Sequence, residues 1–518
     1  MMLQSNQYQL PDEWDLDQLQ AKLAETIHLA EAESSQVDRL YLDSFEWQLW
    51  QAGAEVIFEQ TEQGGRLCWV ERKSGEVQES ISVQAPPGYP VELPPGRMRD
   101  RLSQTLLIRR LLPFVRIEQQ VKTLRVLNED EKTVVRLNLV SSRFASGDGK
   151  QSGSLDSRVV LLPVKGYTRE FDSMHSELQA LGMKPLSQSL FEAALAGIGR
   201  RPGDYSSKLN YHLDPEGRAD ATAKQILLSL LNTLEANVEG TKANLDSEFL
   251  HDLRVATRRS RSAMGQIKGV FDERDLEPFK QGFAWIGQVT GPSRDMDVYL
   301  LKFDDYRASL PEKIKPDLEP FRVFLQEHHA KAYARLVRKL NSPQFRKLMK
   351  DWRRWLEEPV PNVSFQPNGV RPIAELADRR IFKIYKRVLK GGKAIQPDSH
   401  PESLHDLRKD CKKLRYLMEF FQSLYPKPEI QRLIKLLKML LDNLGDFQDL
   451  QVQAEKIESF GDEMLKEGAP ARTLMAMGIL VGDLLKRQEQ IRQEFGETFN
   501  QFMDPDNAQL FQQLFGMK

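Results

Sequence analysis

The chain has 518 residues, 40% hydrophobic and 28% charged, with 73 Lys and Arg against 74 Asp and Glu and a formal net charge of −1. That length exceeds what one hydrophobic core serves and implies roughly two to four domains. The neutral balance excludes a globally basic nucleic-acid coater, so a polyanion site has to come from local clustering of cations.

In chain order, residues 1–14 hold no basic stretch followed by an apolar run, so no secretory leader is expected. Leu16, Leu19, Leu23, Ile27 and Ala30 recur at helical spacing. Residues 54–59 and 66–70 read as strands around a hairpin turn at Glu62-Gln63-Gly64-Gly65. Pro/Gly clusters at 85–90 and 94–96 break regular structure, and a helix is expected over 98–112. Leu124 and Val126, then Val135, Leu137 and Leu139, alternate with polar neighbours around Asn128-Glu129-Asp130-Glu131, which predicts a second hairpin. The Ser- and Gly-rich residues 145–157 read as a loop, 158–162 as a strand and 167–181 as a helix. The first 200 residues are therefore α+β with an antiparallel sheet.

From Ala219 onward only helical spacing remains, as in Ile226, Leu227, Leu230, Leu231 and Leu234, or Leu433, Leu436, Leu437 and Leu440. Residues 357–372, rich in Pro, Asn and Gly, read as a linker between two helical bundles. The expected domains are 1–200, 215–358 and 371–512. No uninterrupted apolar stretch of about 18 residues predicts a membrane span. The two cysteines, Cys68 and Cys411, lack metal-ligand spacing and fit a reducing compartment, so the chain reads as cytoplasmic.

The most informative feature is an internal repeat. Residues 249–264, Phe-Leu-His-Asp-Leu-Arg-Val-Ala-Thr-Arg-Arg-Ser-Arg-Ser-Ala-Met, return in part at 404–418 as Leu-His-Asp-Leu-Arg-Lys-Asp-Cys-Lys-Lys-Leu-Arg-Tyr-Leu-Met. The offset of 154 pairs His251, Asp252, Leu253, Arg254, Arg261 and Met264 with His405, Asp406, Leu407, Arg408, Arg415 and Met418. It continues from Gly291, Asp295 and Val298 to Gly445, Asp449 and Val452, and from Arg338 to Arg492. An ungapped register of this length implies a duplicated helical bundle with approximate two-fold symmetry.

On a helix, His251, Arg254, Arg258 and Arg261 fall within an arc of about 80°, opposite Leu253, Ala256, Ser260, Ala263, Met264 and Ile267. In the second copy His405, Arg408, Lys412 and Arg415 share a face, opposed by Leu407, Cys411, Leu414, Leu417, Met418 and Phe421, while Arg259 and Lys413 flank the cationic faces. A solvated basic face balanced by a neighbouring helix is the plain alternative. Against it, the segments hold few acids (Asp252, Asp406 and Asp410), and a solvated face has no need of a histidine at the same place twice. A metal site is disfavoured because neither histidine has a second ligand on its helix and cations surround both; His328 and His329 are adjacent and point to different faces. The histidines are expected to donate to an anion or orient the arginines, and Asp295 and Asp449 to sit near helix starts as dipole complements or arginine partners.

These residues, with Gly-Pro-Ser-Arg-Asp-Met-Asp-Val at 291–298 and Gly-Asp-Phe-Gln-Asp-Leu-Gln-Val at 445–452, resemble the CHAD family, the conserved histidine α-helical domain, over about residues 215–510. The resemblance implies two pseudo-symmetric four-helix bundles lining a basic cavity that holds inorganic polyphosphate, and an association with polyphosphate granules. It makes His251, Arg254, Arg258, Arg259, Arg261, His405, Arg408, Lys412, Lys413 and Arg415 the expected polyphosphate-binding residues. No catalytic residue, metal or cofactor is expected.

The N-terminal region resembles the CYTH family, a triphosphate-tunnel barrel that precedes CHAD in fusions. The cues are Tyr41-Leu42-Asp43-Ser44 with Leu49 and Gly53, the hairpin at 124–139, residues 163–167 and the connecting residues 199–208. Active members open with a Glu-x-Glu-x-Lys strand, whereas residues 1–11 contain neither acid nor cation, and Val56-Ile57-Phe58-Glu59 stands where an arginine-rich strand is usual. The domain is therefore read as degenerate, since Mg²⁺ cannot be organised against three phosphates without those groups.

Three functions compete. The first is non-enzymatic polyphosphate binding. The second is a metal-dependent inorganic triphosphatase using carboxylates such as Glu71 or Glu59. Nucleic-acid binding ranks third, because Tyr416, Phe421 and Phe271 form no stacking platform.

Overall fold

The computed structural model describes residues 6–11, 13–61, 64–396 and 398–516. The chain divides into two compact units, residues 1–206 and 207–518.

The first unit is one antiparallel sheet with helices against it. Its strands are β1 (Gln7–Gln9), β2 (Leu29–Asp43), β3 (Ala54–Thr61), β4 (Gly64–Glu71), β5 (Val77–Val83), β6 (Leu112–Leu127), β7 (Thr133–Ser146), β8 (Ser152–Pro163) and β9 (Lys184–Pro185), with α1 (Leu16–Thr26), α2 (Gln48–Gln51), α3 (Arg97–Leu106), α4 (Thr168–Ala180) and α5 (Leu190–Gly197) between them. The strand order is β5-β4-β3-β2-β6-β7-β8-β1-β9, and no pairing among the described residues joins β5 to β9. Asp15 caps α1 by accepting from the Gln18 N–H at 2.8 Å, and buried Asp43 anchors α2 through the N–H groups of Leu49 and Trp50 at 2.9 Å each.

Several expectations shift here. The helix at 16–30 ends at Thr26, because the chain turns at His28 into β2, whose residues pair with β6 from Leu29↔Val126 onward. The helix expected over 98–112 stops at Leu106, and Leu107 has a φ of 54°. Most of the loop expected at 145–157 is strand: Ser154 pairs with Arg143 and Leu155 with Ser142, so ladder hydrogen bonds override a Ser/Gly composition. Of the expected turn at 62–65, Glu62 and Gln63 lie outside the described residues, while Gly64 and Gly65 belong to β4.

The second unit is all helix. It contains α6 (Ala219–Ala236), α7 (Val238–Lys242), α8 (Ser247–Gln266), α9 (Glu273–Leu301), α10 (Phe303–Ser309), α11 (Glu319–Leu340), α12 (Pro343–Glu357), α13 (Ile373–Lys393), α14 (Pro401–Phe421), α15 (Lys427–Lys466), α16 (Ala471–Phe502) and α17 (Pro505–Phe515). The duplication is visible in the helix boundaries. Helices beginning at Ala219, Ser247 and Glu273 are answered by helices beginning at Ile373, Pro401 and Lys427, each 154 residues later. The halves share their interior: one buried cluster takes Leu253, Ala256 and Met264 together with Leu407, Leu414 and Met418, and a second joins Met296 and Phe321 to Ile457 and Phe460.

The connector at 358–372 is not a free linker, because its backbone is tied into the unit. Ala219 donates to Arg371 O at 2.9 Å, Asp220 to Gly369 O at 3.0 Å, and Asn368 to Gly269 O at 2.8 Å. No described helix is long and apolar enough to cross a membrane.

Candidate functional site

The two signature stretches form α8 and α14, and these helices pack against each other. Asp246 starts α8 by accepting from the N–H groups of Glu248 and Phe249 at 2.9 and 3.3 Å. Pro401 occupies the first turn of α14, where its missing N–H costs nothing, and His400 Nδ1 accepts from the Glu402 N–H at 3.3 Å. The apolar positions of both helices are buried as their periodicity requires, which leaves the cationic positions on the other side.

In the first half, Arg254 reaches across to α9, donating from Nη1 to Gly287 O at 3.1 Å and to Thr290 Oγ1 at 2.7 Å. Two glycines of α9 flank the arginines, with room for a Cβ in ordinary contact. A Cβ on Gly287 would stand 3.5 Å from Arg261 Nη1, and one on Gly291 would stand 3.8 Å from Arg254 Nη1. The result is a cavity of about 240 Å³ lined by Arg254, Thr257, Arg258, Arg261, Ala284, Gly287 and Gln288, with no carboxylate in its wall. Among the described residues, Arg254, Arg258 and Arg261 make no ion pair within 4.0 Å. Burial, followed by the neighbouring Arg258, lowers the pKa of Arg254 from its ordinary value, and its buried Nε has no hydrogen-bond partner.

In the second half the corresponding groups are largely neutralised. Arg408 lies over Gly445, where a Cβ would be 3.4 Å from Nη2, but that nitrogen donates to Asp449 Oδ1 at 3.0 Å. Arg415 Nε donates to Glu419 Oε1 at 2.7 Å, and the same carboxylate accepts from Arg259 Nη2 of the other signature helix at 3.0 Å. Lys413 pairs with Asp410 at 2.9 Å, and Asp410 also meets Arg387 Nε at 2.5 Å. Lys412 has no ion pair among the described residues; desolvation, then Arg408 and Arg258, push its ammonium down to about 8.

The sequence explains the difference. Ala284, Gly287 and Gln288 of α9 correspond, 154 residues on, to Lys438, Leu441 and Asp442 of α15, so the second half lacks the small-residue groove. Asp442 and Asp446 join Asp449 on α15, and Asp446 has its pKa raised by burial and then by the other two acids. Among the described residues Arg254, Arg258, Arg261 and Lys412 make no ion pair, Arg408, Arg259, Arg415 and Lys413 are tied to carboxylates, and both histidines are engaged. His251 Nδ1 accepts from Arg294 Nη2 at 2.9 Å, and His405 Nδ1 donates to Gln448 Oε1 at 2.8 Å.

Arg294, Thr290, Gln288 and Glu419 were not among the sequence candidates. Glu419 stands four residues after Arg415, a legible helix pair just beyond the repeated stretch. Arg294 and Gln448 are themselves 154 apart. Asp295 and Asp449 do not begin helices; they lie inside α9 and α15, because α9 continues through Pro292 and α15 through Gly445. His328 and His329 do diverge, the first toward Glu463 at 3.1 Å and the second toward Asp297 at 2.8 Å. Phe421 is buried, and Phe271 packs edge-on against Trp355.

In the first unit, Glu59 is held by Arg39 Nε at 2.9 Å and Arg66 Nη2 at 2.5 Å, while Glu71 accepts from Ser74 Oγ at 2.7 Å. The β3–β4 register pairs Glu59 with Arg66 and Glu71 with Ala54, which puts the two acids on opposite faces of the sheet. Among the described residues no group of three or more His, Cys, Asp or Glu is placed to hold a metal ion.

The family model for the CHAD domain matches residues 225–458, a span that includes both signature helices. The chain carries a CHAD domain. Solved structures similar to it include the CHAD domain from the plant Ricinus communis, 22% identical, with a TM-score of 0.46, covering 60% of this chain and 96% of that one. PptA from Streptomyces chartreusis is 15% identical, with a TM-score of 0.43, covering 55% and 99%. HpAC1 from Hippeastrum, an adenylyl cyclase candidate described as having a dominant triphosphatase activity, is 14% identical, with a TM-score of 0.27, covering 39% and 99%. No curated protein matches the chain.

Proposed function

We propose that the CHAD domain binds inorganic polyphosphate along the facing cationic sides of α8 and α14, without catalysis, and that the chain can thereby associate with polyphosphate granules. One observation carries this reading: Arg254, Arg258 and Arg261 line a cavity that contains no carboxylate, on a helix that packs against the second signature helix. Cations held together without a carboxylate between them raise each other's free energy, and a polyanion relieves that repulsion. Polyphosphate suits such a surface because arginine forks grip tetrahedral oxyanions in pairs while lysine acts as a point charge. We read the nine-stranded first unit as a CYTH-like fold stripped of its catalytic groups; its first strand, Gln7–Gln9, is neutral, and Gln7 Oε1 accepts from Arg158 Nη1 at 3.2 Å.

The test is retention of long-chain polyphosphate at graded salt beside an assay for phosphate release from tripolyphosphate with Mg²⁺ or Mn²⁺. The combined Arg254→Ala and Arg408→Ala variant should lose most retention while keeping its helical circular dichroism. Unchanged retention, or metal-dependent phosphate release by the wild-type chain, contradicts the reading.

A further inference from the structure

The repeat places an acid, Asp295 or Asp449, at the same offset from each fork arginine, yet the two halves use it differently. Asp449 Oδ1 stands 3.0 Å from Arg408 Nη2, whereas Arg254 turns its Nη1 to the neutral Gly287 O and Thr290 Oγ1 and makes no ion pair with Asp295. The Asp449 side chain is 54% exposed and that of Arg408 only 15%, so the acid covers the arginine from the solvent side. Arg408 Nε is buried without a partner, leaving the fork half satisfied by the one carboxylate contact. An oxyanion approaching Arg408 from solvent therefore meets a group of its own charge already in place.

We propose that Asp449 is an internal competitor at Arg408, displaced when polyphosphate binds, so that the chain is gripped first by the Arg254, Arg258 and Arg261 cavity and only then by the second helix. This rests on the polyphosphate reading above. The neighbouring acids Asp442 and Asp446 lie on the same helix as Asp449 and add negative charge beside it, as burial and then Asp449 and Asp442 raise the Asp446 carboxyl above its ordinary value. Asp449 itself is open to solvent, so it can swing away into water and keep its charge hydrated when another anion takes its place.

The experiment measures the affinity of the full chain for inorganic polyphosphate at one low salt concentration. Asp449→Ala should tighten binding, by up to about fivefold, the factor that corresponds to losing such a competitor. Asp295→Ala, which removes an equal charge from the other half, should give a smaller gain. In an Arg408→Gln background Asp449→Ala should give no more than the Asp295→Ala gain, because the competition is for that guanidinium. A full gain that persists without Arg408, or equal gains from Asp449→Ala and Asp295→Ala, overturns the proposal and leaves only general repulsion. If the wild-type chain fails to bind polyphosphate at all, the functional reading fails first, and that result is distinguishable from either outcome.

Discussion

Arg294 donates from Nη2 to Nδ1 of His251 at 2.9 Å, and since arginine offers no acceptor, the imidazole must leave Nδ1 bare and carry its proton on Nε2. The residues 154 further on, Gln448 and His405, make the reverse bond, with Nδ1 donating to Gln448 Oε1 at 2.8 Å. One repeated histidine thus serves two polarities, set by whether α9 or α15 supplies arginine or glutamine opposite it. Imidazole ¹⁵N shifts at neutral pH should report opposite tautomers for the two residues. A protonated Nδ1 on His251 contradicts the geometry.

Desolvation first, then the charges of Arg408, Arg258 and Arg415 against that of Asp449, bring the Lys412 ammonium down to about 8. Its protonated form is the one a polyanion favours. The free group loses its proton as pH rises through about 8, so affinity should fall above that pH, by up to about tenfold one unit higher if binding restores an ordinary lysine pKa. Near pH 8, calorimetry in buffers of different ionisation heat should show proton uptake on binding. Lys412→Met should remove the uptake, and uptake persisting in that variant assigns it to another group.

Glu419 is 8% exposed and joins Arg259 of α8 to Arg415 of α14. Glu419→Ala would leave two partly buried guanidinium groups facing each other, and should destabilise the helical unit by about 2–4 kcal/mol, near the low end for breaking a buried pair. Chemical denaturation checks this; a change below about 0.5 kcal/mol, the usual scatter of surface substitutions, would show that the bridge does not hold the repeats together.

Two glycines should behave oppositely. A Cβ on Gly392 in α13 would lie 2.0 Å from the buried Phe499 ring, so Gly392→Ala should destabilise by about 1–3 kcal/mol. Gly478 in α16 has open space around it, so Gly478→Ala should stabilise by up to about 1 kcal/mol through helix propensity. Thermal melts of the two variants settle both.

The helical half of the fold was legible because the apolar positions of α8 and α14 turn inward and leave the cations on the other side, and the 154-residue offset carried that pattern from one repeat to the next. The strand β2 was not legible: Glu31, Glu33, Ser34 and Ser35 are exposed and show no apolar alternation, so only pairing with β6 makes them a strand. At the site, the cationic faces could be read from α8 and α14, but their inequality could not. It arises on α9 and α15, where Gly287 and Gln288 correspond to Leu441 and Asp442 across the repeat, and substitutions on a second helix leave no mark on the first helix's periodicity.

If polyphosphate is held by the cations without ion pairs, the salt dependence of binding shows it most directly. Every phosphate left without its cation should reduce the slope of log K against log salt by about 0.7, as for single-stranded polyanions. The variant Arg254→Gln, Arg258→Gln, Arg261→Gln should therefore show a slope shallower by about 2 than wild type, whereas Lys413→Gln, whose lysine is already tied to Asp410, should change it by well under 0.7. An unchanged slope in the triple variant, or an equal reduction from Lys413→Gln alone, contradicts binding by those cations.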